Sequence, residues 1–226
     1  MNDSVTVFLL QYKNAEREKT MIRRIGKIWN LLRPGGKPPA QEIIGIIGMG
    51  RSVGVTHFAV MTAGYLTGVL HKRCAVLEWN NHGDFRNMRM ICKKEAGQSE
   101  ISRILDVDYY EQAGINTLLM CKKFGYDVVI VDYGSVTEEN LKEFLRCDRQ
   151  FALASFSEWQ VGIFLEFERR EKEAKGSWET LAAFGSEEAR TNMEKRLGFS
   201  VRRIPFSPDA FAVTGEVMNF YQRYFG

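Results

Sequence analysis

A glycine-rich stretch between an apolar run and a helical pattern is the part of the chain whose residue types could do chemistry. Gly48, Gly50 and Gly54 follow the isoleucine-rich residues 43–47, and Thr56 opens the helical pattern. Glycines let a backbone approach a phosphate closely, and the N–H groups of a helix N-terminus attract its negative charge. The stretch therefore predicts a strand, a phosphate-binding loop and a helix.

The residue directly before the hydroxyl of Thr56 does not fit such a loop. A Walker A loop carries a lysine there, whose ammonium group reaches the β- and γ-phosphates. In this chain the residue is Val55. Arg51, within the loop, and His57, after the threonine, are the two cations that could replace it, although both could equally face solvent. We expect a backbone suited to phosphate without its principal cation.

Two further polar groups follow strand-like runs. Glu78 and Asn80 come at the end of the run 73–79, and Asp132 and Gly134 come at the end of the run 126–133. An open parallel sheet places its ligand at the carboxyl ends of its strands, so these residues are expected to meet the glycine loop. Simpler interpretations stay open, since Thr56 could only cap its helix, Gly54 could only permit a turn, and Asp132 could only satisfy backbone amides.

Strand-like runs alternate with helical patterns beyond residue 41. Strands are predicted at 43–47, 73–79, 126–133, 149–155, 178–184 and 200–204, and 101–110 is strand-like but ambiguous. Helices are predicted at 56–70, 84–90, 113–123, from a Ser135 or Thr137 cap to 145, and at 157–175, 186–197 and 213–225. In the helix at 157–175 we expect Trp159, Ile163, Phe164 and Phe167 to face inward, and Trp79 is expected to pack rather than stack on a base. The pattern predicts an α/β fold with an open, mostly parallel sheet flanked by helices on both faces.

Composition and charge divide the 226 residues into an arm and a domain. Residues 1–40 hold eight Lys/Arg and three Asp/Glu, whereas the rest is nearly neutral. A Pro/Gly-rich stretch at 34–40 marks the predicted boundary between the arm (1–40) and the α/β domain (41–226). Residues 14–33 read as a basic amphipathic helix that either packs on the core or contacts a membrane surface or an acidic partner.

The four cysteines are widely spaced and form no CxxC pair. We therefore expect buried, reduced thiols and no structural metal. No apolar run reaches the length of about 20 residues of a membrane span, and the N-terminus lacks the layout of a signal peptide. These features predict a cytoplasmic protein, with the arm as the segment that could bring it to the inner face of the membrane.

The order of the motifs resembles the MinD/ParA family of P-loop ATPases, which includes the pilus-localisation protein TadZ. The resemblance covers residues 41–226 and extends to YDVVIVDYG, CDRQFALASFSEW and IPFSPDAF. The family loop KGGxGKT aligns with GRSVGVT, so that its signature lysine falls at Gly50 and its phosphate-binding lysine at Val55. The family's DxD pair falls at Glu78 and Asn80.

The resemblance implies ATP and Mg²⁺ as candidate ligands. It assigns Mg²⁺ to Thr56 and Asp132, and the switch positions to Glu78, Asn80 and Gly134. It assigns the nucleotide to Gly48, Gly50, Arg51, Ser52, Val53, Gly54, Val55, Thr56 and His57. No catalytic residue is assigned, because Asn80 replaces the family's second acid and an amide cannot act as a base.

These residues are compatible with three functions. The first is a non-catalytic or weakly nucleotide-binding scaffold or localisation factor for a larger assembly, such as envelope or pilus-secretion machinery, with protein partners and a homodimer. The second is an ATPase with an unconventional loop that switches between monomer and nucleotide-bridged dimer. The third, a ParA-like DNA-binding protein, is disfavoured because the domain is nearly neutral.

Overall fold

The central strands form because their residues are apolar and mostly β-branched on both faces. The computed structural model describes residues 41–92, 101–170 and 178–226. Its strands are β1 (Glu42–Gly48), β2 (Cys74–Glu78), β3 (Ile101–Ile104), β4 (Val107–Tyr110), β5 (Val128–Ser135), β6 (Arg149–Ser155), β7 (Glu179–Phe184) and β8 (Arg202–Arg203). Its helices are α1 (Val55–Gly68), α2 (Asp84–Cys92), α3 (Ile115–Phe124), α4 (Glu138–Phe144), α5 (Val161–Arg170), α6 (Glu187–Leu197) and α7 (Gly215–Phe225).

The described strands form one sheet in the order β3-β4-β2-β5-β1-β6-β7-β8. All neighbours are parallel except β3 and β4. In the register, Asp132 of β5 pairs with Ile46 of β1 on one side and with Glu78 of β2 on the other. The predicted fold class is confirmed, and the carboxyl ends of β2, β5 and β1 lie side by side.

Helices pack on both faces of the sheet. On one face, Tyr65 of α1 stacks on Tyr221 of α7, with ring centroids 5.1 Å apart, and Phe58 packs edge-on against Phe151 of β6. On the other face, Phe144 of α4 lies in the second core, which α3, α5 and α6 also cover. Val217, Phe220 and Tyr221 of the closing helix α7 are therefore part of the core.

The ambiguous segment at 101–110 is two strands rather than one. β3 and β4 pair antiparallel in a tight hairpin, and its turn residues Leu105 and Asp106 have φ values of 48° and 65°. Neither turn residue is glycine, so the usual signal of a hairpin is missing from the sequence.

The prediction for the segment 157–175 was wrong in two respects. The helix begins later than predicted, and two of the four residues predicted to face inward are exposed. Residues 157–160 form a turn in which the Ser157 carbonyl accepts the N–H groups of Gln160 and Val161, both at 2.9 Å, and α5 begins only at Val161. Trp159 in the turn is 79% exposed and Ile163 is 51% exposed, whereas Phe164 and Phe167 are buried as expected. Residues 171–177 lie outside the described part of the chain.

Smaller differences concern the ends of elements. β5 begins at Val128 rather than at residue 126, and Ser135 belongs to this strand rather than capping the next helix. Thr137 is the cap of α4, since its hydroxyl accepts the Asn140 N–H at 3.2 Å. The last strand covers two residues, Arg202–Arg203. The predicted arm and linker, residues 1–40, lie outside the described residues.

The thiols agree with the expectation of buried cysteines. Cys74, Cys121 and Cys147 are buried and Cys92 is half-buried, and all four are free. Burial raises the pKa of Cys74 to about 12 and that of Cys121 to about 11. No helix in the described ranges is long and apolar enough to cross a membrane.

Candidate functional site

The glycine loop between β1 and α1 is held by backbone bonds from both neighbouring strands. Met49 N–H donates to the Leu153 carbonyl, and the Gly48 carbonyl accepts the Val136 N–H, both at 2.8 Å. These bonds fix the start of the loop at the carboxyl edge of the sheet. Further along, the Ser135 hydroxyl donates to the Gly50 carbonyl at 3.3 Å.

The loop places the N-terminus of α1, which has no side-chain cap, at the carboxyl edge of the sheet. Gly54 caps α1 with φ 85° and ψ 30°, a left-handed conformation that glycine adopts without strain, and it has no side chain with which to cap the helix. The first turn of α1 contains no acidic residue. Because the first N–H groups of a helix lack intrahelical partners, this end can attract an anion.

The inside of the loop is apolar. Val53 and Val55 are both buried, and their side chains turn toward Gly48. A Cβ on Gly48 would lie 2.7 Å from Cγ2 of Val53 and 2.9 Å from Cγ2 of Val55. Val55, the residue directly before Thr56, is therefore a packed side chain that brings no charge to the loop.

Thr56, on the first turn of α1, faces two carboxylates. Its hydroxyl Oγ1 lies 2.7 Å from Oδ2 of Asp132 and 3.1 Å from Oδ2 of Asp84. The predicted pair of Thr56 and Asp132 is thus in direct contact. Asp84 was missed as a site residue, and its only sequence signal is that an acid follows the Asn80–Gly83 turn at the start of a helical pattern.

Asp132 is fully buried, and its carboxylate is hydrogen-bonded to other residues of the site. Its Oδ1 accepts the Gly134 N–H at 2.9 Å and the Asn80 side-chain amide at 3.1 Å. Burial raises the pKa of Asp132, and the repulsion from Asp84 adds to the rise, whereas the bonds from Thr56 and Gly134 oppose it.

The two predicted switch residues after β2 have structural partners. Glu78 is buried, and its Oε1 accepts the N–H groups of Asp84 at 2.6 Å and Phe85 at 3.3 Å, so that it caps α2. Burial raises the pKa of Glu78 above its usual range. Asn80 donates to Asp132, and its Oδ1 accepts the His82 N–H at 3.0 Å.

Gly134 completes this arrangement from β5. It has a φ of 62°, and a Cβ there would lie 3.0 Å from the His82 ring and 3.1 Å from Cβ of Asn80. The end of β5 is held in turn by Asn140, whose side-chain amide donates to the carbonyls of Tyr133 and Ser135. Trp79 packs on Tyr133 with centroids 5.6 Å apart, as expected of a packing residue.

These residues surround one cleft of about 1910 Å³. Residues 50–57, Glu78, Asn80 and Gly134 line it, while Gly48 and Asp132 lie directly behind the lining. Among the described residues that line the cleft, Arg51 is the one Lys or Arg. Four acidic residues also line the cleft: Glu78, Asp84, Glu139 and Glu143. Both candidate cations, Arg51 and His57, line the cleft. Within the described ranges, neither side chain forms a hydrogen bond or ion pair with another residue of the site. Among the described residues, no group of three His, Cys, Asp or Glu side chains could hold a metal ion.

Comparison with known proteins gives a likeness in structure alone. No family model and no curated protein matches the sequence. A ParA family ATPase from Chlorobium tepidum TLS matches with a TM-score of 0.54 and 16% identity over 81% of this chain and 93% of that one. A putative plasmid partition protein from Borrelia burgdorferi B31, bound to AMPPNP, matches with a TM-score of 0.56 and 14% identity over 82% and 96%.

The cell division protein MinD of Aquifex aeolicus also matches, with a TM-score of 0.53 and 14% identity over 74% of this chain and 83% of that one. The eight-stranded, mostly parallel sheet with its glycine loop between β1 and α1 is therefore the fold of the MinD/ParA P-loop NTPases.

Proposed function

We propose that this chain is a non-hydrolysing relative of the MinD/ParA ATPases with a degenerate Walker A loop, which works as a scaffold or localisation factor in a larger protein assembly. By its resemblance to TadZ, an envelope or pilus-secretion machine is the kind of assembly proposed. The observation that carries the proposal is the packing of Val55 in the place of the phosphate-binding lysine.

The missing charge weakens the binding of a nucleoside triphosphate. A charge-assisted hydrogen bond contributes about 1.5–3 kcal/mol, so its loss corresponds to about a ten- to hundredfold weaker affinity. The carboxylates of the cleft add repulsion to the phosphates, and Arg51 is an exposed cation at the rim. We therefore expect weak binding of ATP.

Hydrolysis is affected more strongly than binding. Phosphoryl transfer depends on positioning and on stabilisation of the charge in the transition state. Asn80 stands where the family has its second acid, and its amide donates to Asp132 instead of accepting a proton from water. Neither the loop nor this position supplies what the reaction needs.

The donor set at Thr56 and Asp132 nevertheless fits Mg²⁺. Hydroxyl and carboxylate oxygens are the ligands that this ion prefers, and the two groups are 2.7 Å apart at the mouth of the helix. A bound Mg²⁺ would neutralise charge on the phosphates. A nucleotide held weakly by the ion and by the N–H groups of α1 is consistent with a chain that binds without turnover.

Exposed apolar side chains beside the loop support a role in protein assembly. Trp159 and Ile163 lie on the segment whose Gln160 side chain donates to the Arg51 carbonyl at 3.3 Å. Phe184, the last residue of β7, and Phe206, shortly after β8, are also more than half exposed. Large apolar residues grouped at one edge are typical of protein–protein contacts.

Two measurements on the full chain with Mg²⁺ test the proposal: phosphate release, and ATP binding by calorimetry. The Thr56→Ala variant, measured in the same way, gives the background. We expect the same phosphate release from both proteins and no binding tighter than about millimolar, the range of weak ligands. Turnover by the natural chain that Thr56→Ala abolishes would overturn the proposal.

A second candidate is the switch ATPase, which the direct contact between Thr56 and Asp132 favours. This function requires a dimer that forms with Mg²⁺ and ATP and is lost in Asp132→Ala. Light scattering after size-exclusion chromatography, with and without nucleotide, separates the two candidates. A mass that does not change with ATP rejects the switch.

A further inference from the structure

One hydroxyl group lies between two carboxylates at the N-terminus of α1. Thr56 Oγ1 contacts Asp132 Oδ2 at 2.7 Å and Asp84 Oδ2 at 3.1 Å. A threonine hydroxyl carries one proton and can donate it to one acceptor at a time. At any moment, therefore, one of the two carboxylate oxygens faces this oxygen without a donor.

Asp84 is held in this place by its backbone rather than by its carboxylate. Its N–H donates to Oε1 of buried Glu78 at 2.6 Å, and Phe85 N–H donates to the same oxygen. Glu78 thereby fixes the first turn of α2 so that its first residue meets Thr56. Within the described ranges, the Thr56 hydroxyl is the hydrogen-bond partner of the Asp84 carboxylate.

The charges around Thr56 are unbalanced. Asp132 and Glu78 are buried carboxylates, and the carboxylate of Asp84 lies 3.1 Å from the hydroxyl that Asp132 also contacts. No lysine or arginine of the described residues forms an ion pair with any of these three carboxylates. Converging carboxylates of this kind are stabilised by a cation.

We infer that Asp84 is an added ligand of a divalent cation, and that with Thr56 and Asp132 it forms a site that takes Mg²⁺ or Mn²⁺ in the absence of nucleotide. The donor set is one hydroxyl and two carboxylates, all hard oxygen ligands. Mg²⁺ is commonly bound through one or two carboxylates and keeps several waters, so three protein groups suffice. The resemblance to MinD/ParA proteins assigns the ion to Thr56 and Asp132, and Asp84 is the contribution of this chain.

A second carboxylate favours binding of the ion even when no phosphate is present. In a loop with a lysine, that side chain supplies the positive charge, whereas here the loop interior is Val53 and Val55. A resident divalent ion would place positive charge beside the open N-terminus of α1 and would offset the carboxylates of the cleft. The inference goes beyond the proposed function and requires neither binding nor hydrolysis of ATP.

The test is a titration of the full chain with Mn²⁺ in the absence of nucleotide. Electron paramagnetic resonance of the free ion and calorimetry measure the binding. We expect saturable binding of one ion, competition by Mg²⁺, and a loss of affinity of about tenfold or more in Asp84→Asn. The matched control is Glu139→Gln, which removes another first-turn helix acid in the same cleft and should bind Mn²⁺ as the natural chain does.

Three outcomes overturn the inference. The first is no Mn²⁺ binding by the natural chain. The second is equal affinity in Asp84→Asn and the natural chain; if the variant is also less stable, Asp84 serves the helix dipole of α2 instead. The third is an equal loss in Glu139→Gln, which would mean a diffuse effect of cleft charge. Circular dichroism shows whether each variant is folded, and phosphate release tests the proposed function separately.

Discussion

Val55 packs against Gly48: a Cβ on that glycine would lie 2.9 Å from Cγ2 of Val55. The contact makes Gly48 necessary, since no larger residue fits without moving Val53 or Val55. The glycine loop thus holds an apolar side chain at the position where the proposed alignment puts the Walker A lysine. The loop should therefore accept the missing charge again.

Val55→Lys should gain affinity for Mg-ATP. The lysine restores a charge-assisted hydrogen bond, which corresponds to about a ten- to hundredfold tighter dissociation constant. Calorimetry on the full chain measures the change. Asn87→Lys adds the same charge to an exposed residue lining the cleft on α2 and should gain much less. Equal gains in both variants would show that general charge, rather than the loop position, limits binding.

Asp132→Asn should stabilise the fold at neutral pH. Burial raises the pKa of Asp132, so the folded state holds this carboxylate in its charged form at a disadvantage. An asparagine can keep the bonds to Gly134 and Asn80 and can donate to Thr56. We expect a gain of about 1 kcal/mol, or about 2–4 °C in melting temperature for a domain of this size.

The gain in stability from Asp132→Asn should depend on pH, in a direction that follows from the raised pKa. A raised carboxyl pKa means that the folded state binds the proton more readily than the unfolded state does. Stability is then lost as the pH rises from the ordinary value of about 4 through the raised value. The advantage of Asp132→Asn should therefore vanish below about pH 4 and reach its full size above the raised pKa. An Asn variant that is less stable at every pH would contradict this account.

Gly134→Ala should destabilise the protein more than Gly198→Ala. Both glycines have positive φ values, 62° and 76°, so both substitutions carry the penalty of about 1–2 kcal/mol for a left-handed residue. At Gly134 the new Cβ also meets His82 and Asn80, whereas at Gly198 nothing lies within 4 Å. We expect an excess of about 1 kcal/mol in urea unfolding. Equal losses would mean that the Asn80–His82 turn moves aside freely.

Phe164→Ala and Trp159→Ala test the observed start of α5. Phe164 is 1% exposed and packs edge-on against Phe156, so its truncation should lower the free energy of unfolding by about 3–5 kcal/mol. Trp159 is mostly exposed and its truncation should change stability by no more than about 0.5 kcal/mol. Urea titration followed by circular dichroism checks both. A large loss in Trp159→Ala would place that side chain in the core.

The sequence predicts the sheet well because its central strands are buried on both faces. The run ending at Asp132 contains β-branched residues without alternation, which is typical of a central parallel strand, and β5 pairs with β1 and β2 as expected. Once the strands are known to be parallel, the convergence of Thr56, Asn80 and Asp132 follows from topology. Side-chain pairings within this convergence do not.

What the sequence did not predict depends on contacts between distant residues. Asp84 reaches Thr56, 28 residues earlier, because Glu78 caps α2, and no local pattern encodes that bond. The β3–β4 hairpin turns at Leu105 and Asp106, which carry no glycine signal. Trp159 was predicted to be buried from its apolar character, but its place in the turn before α5 leaves it exposed.

Glu78 has a structural role that does not depend on a nucleotide. Its carboxylate closes the first turn of α2 through two backbone N–H groups, and this task is the same whether or not a nucleotide is ever split. Loss of that carboxylate would leave two helix N–H groups without an acceptor, whereas the side-chain amide of Asn80 donates to the Asp132 carboxylate. Glu78 is therefore needed for the start of α2 in any nucleotide state, whereas the side chain of Asn80 holds Asp132 and the turn at His82.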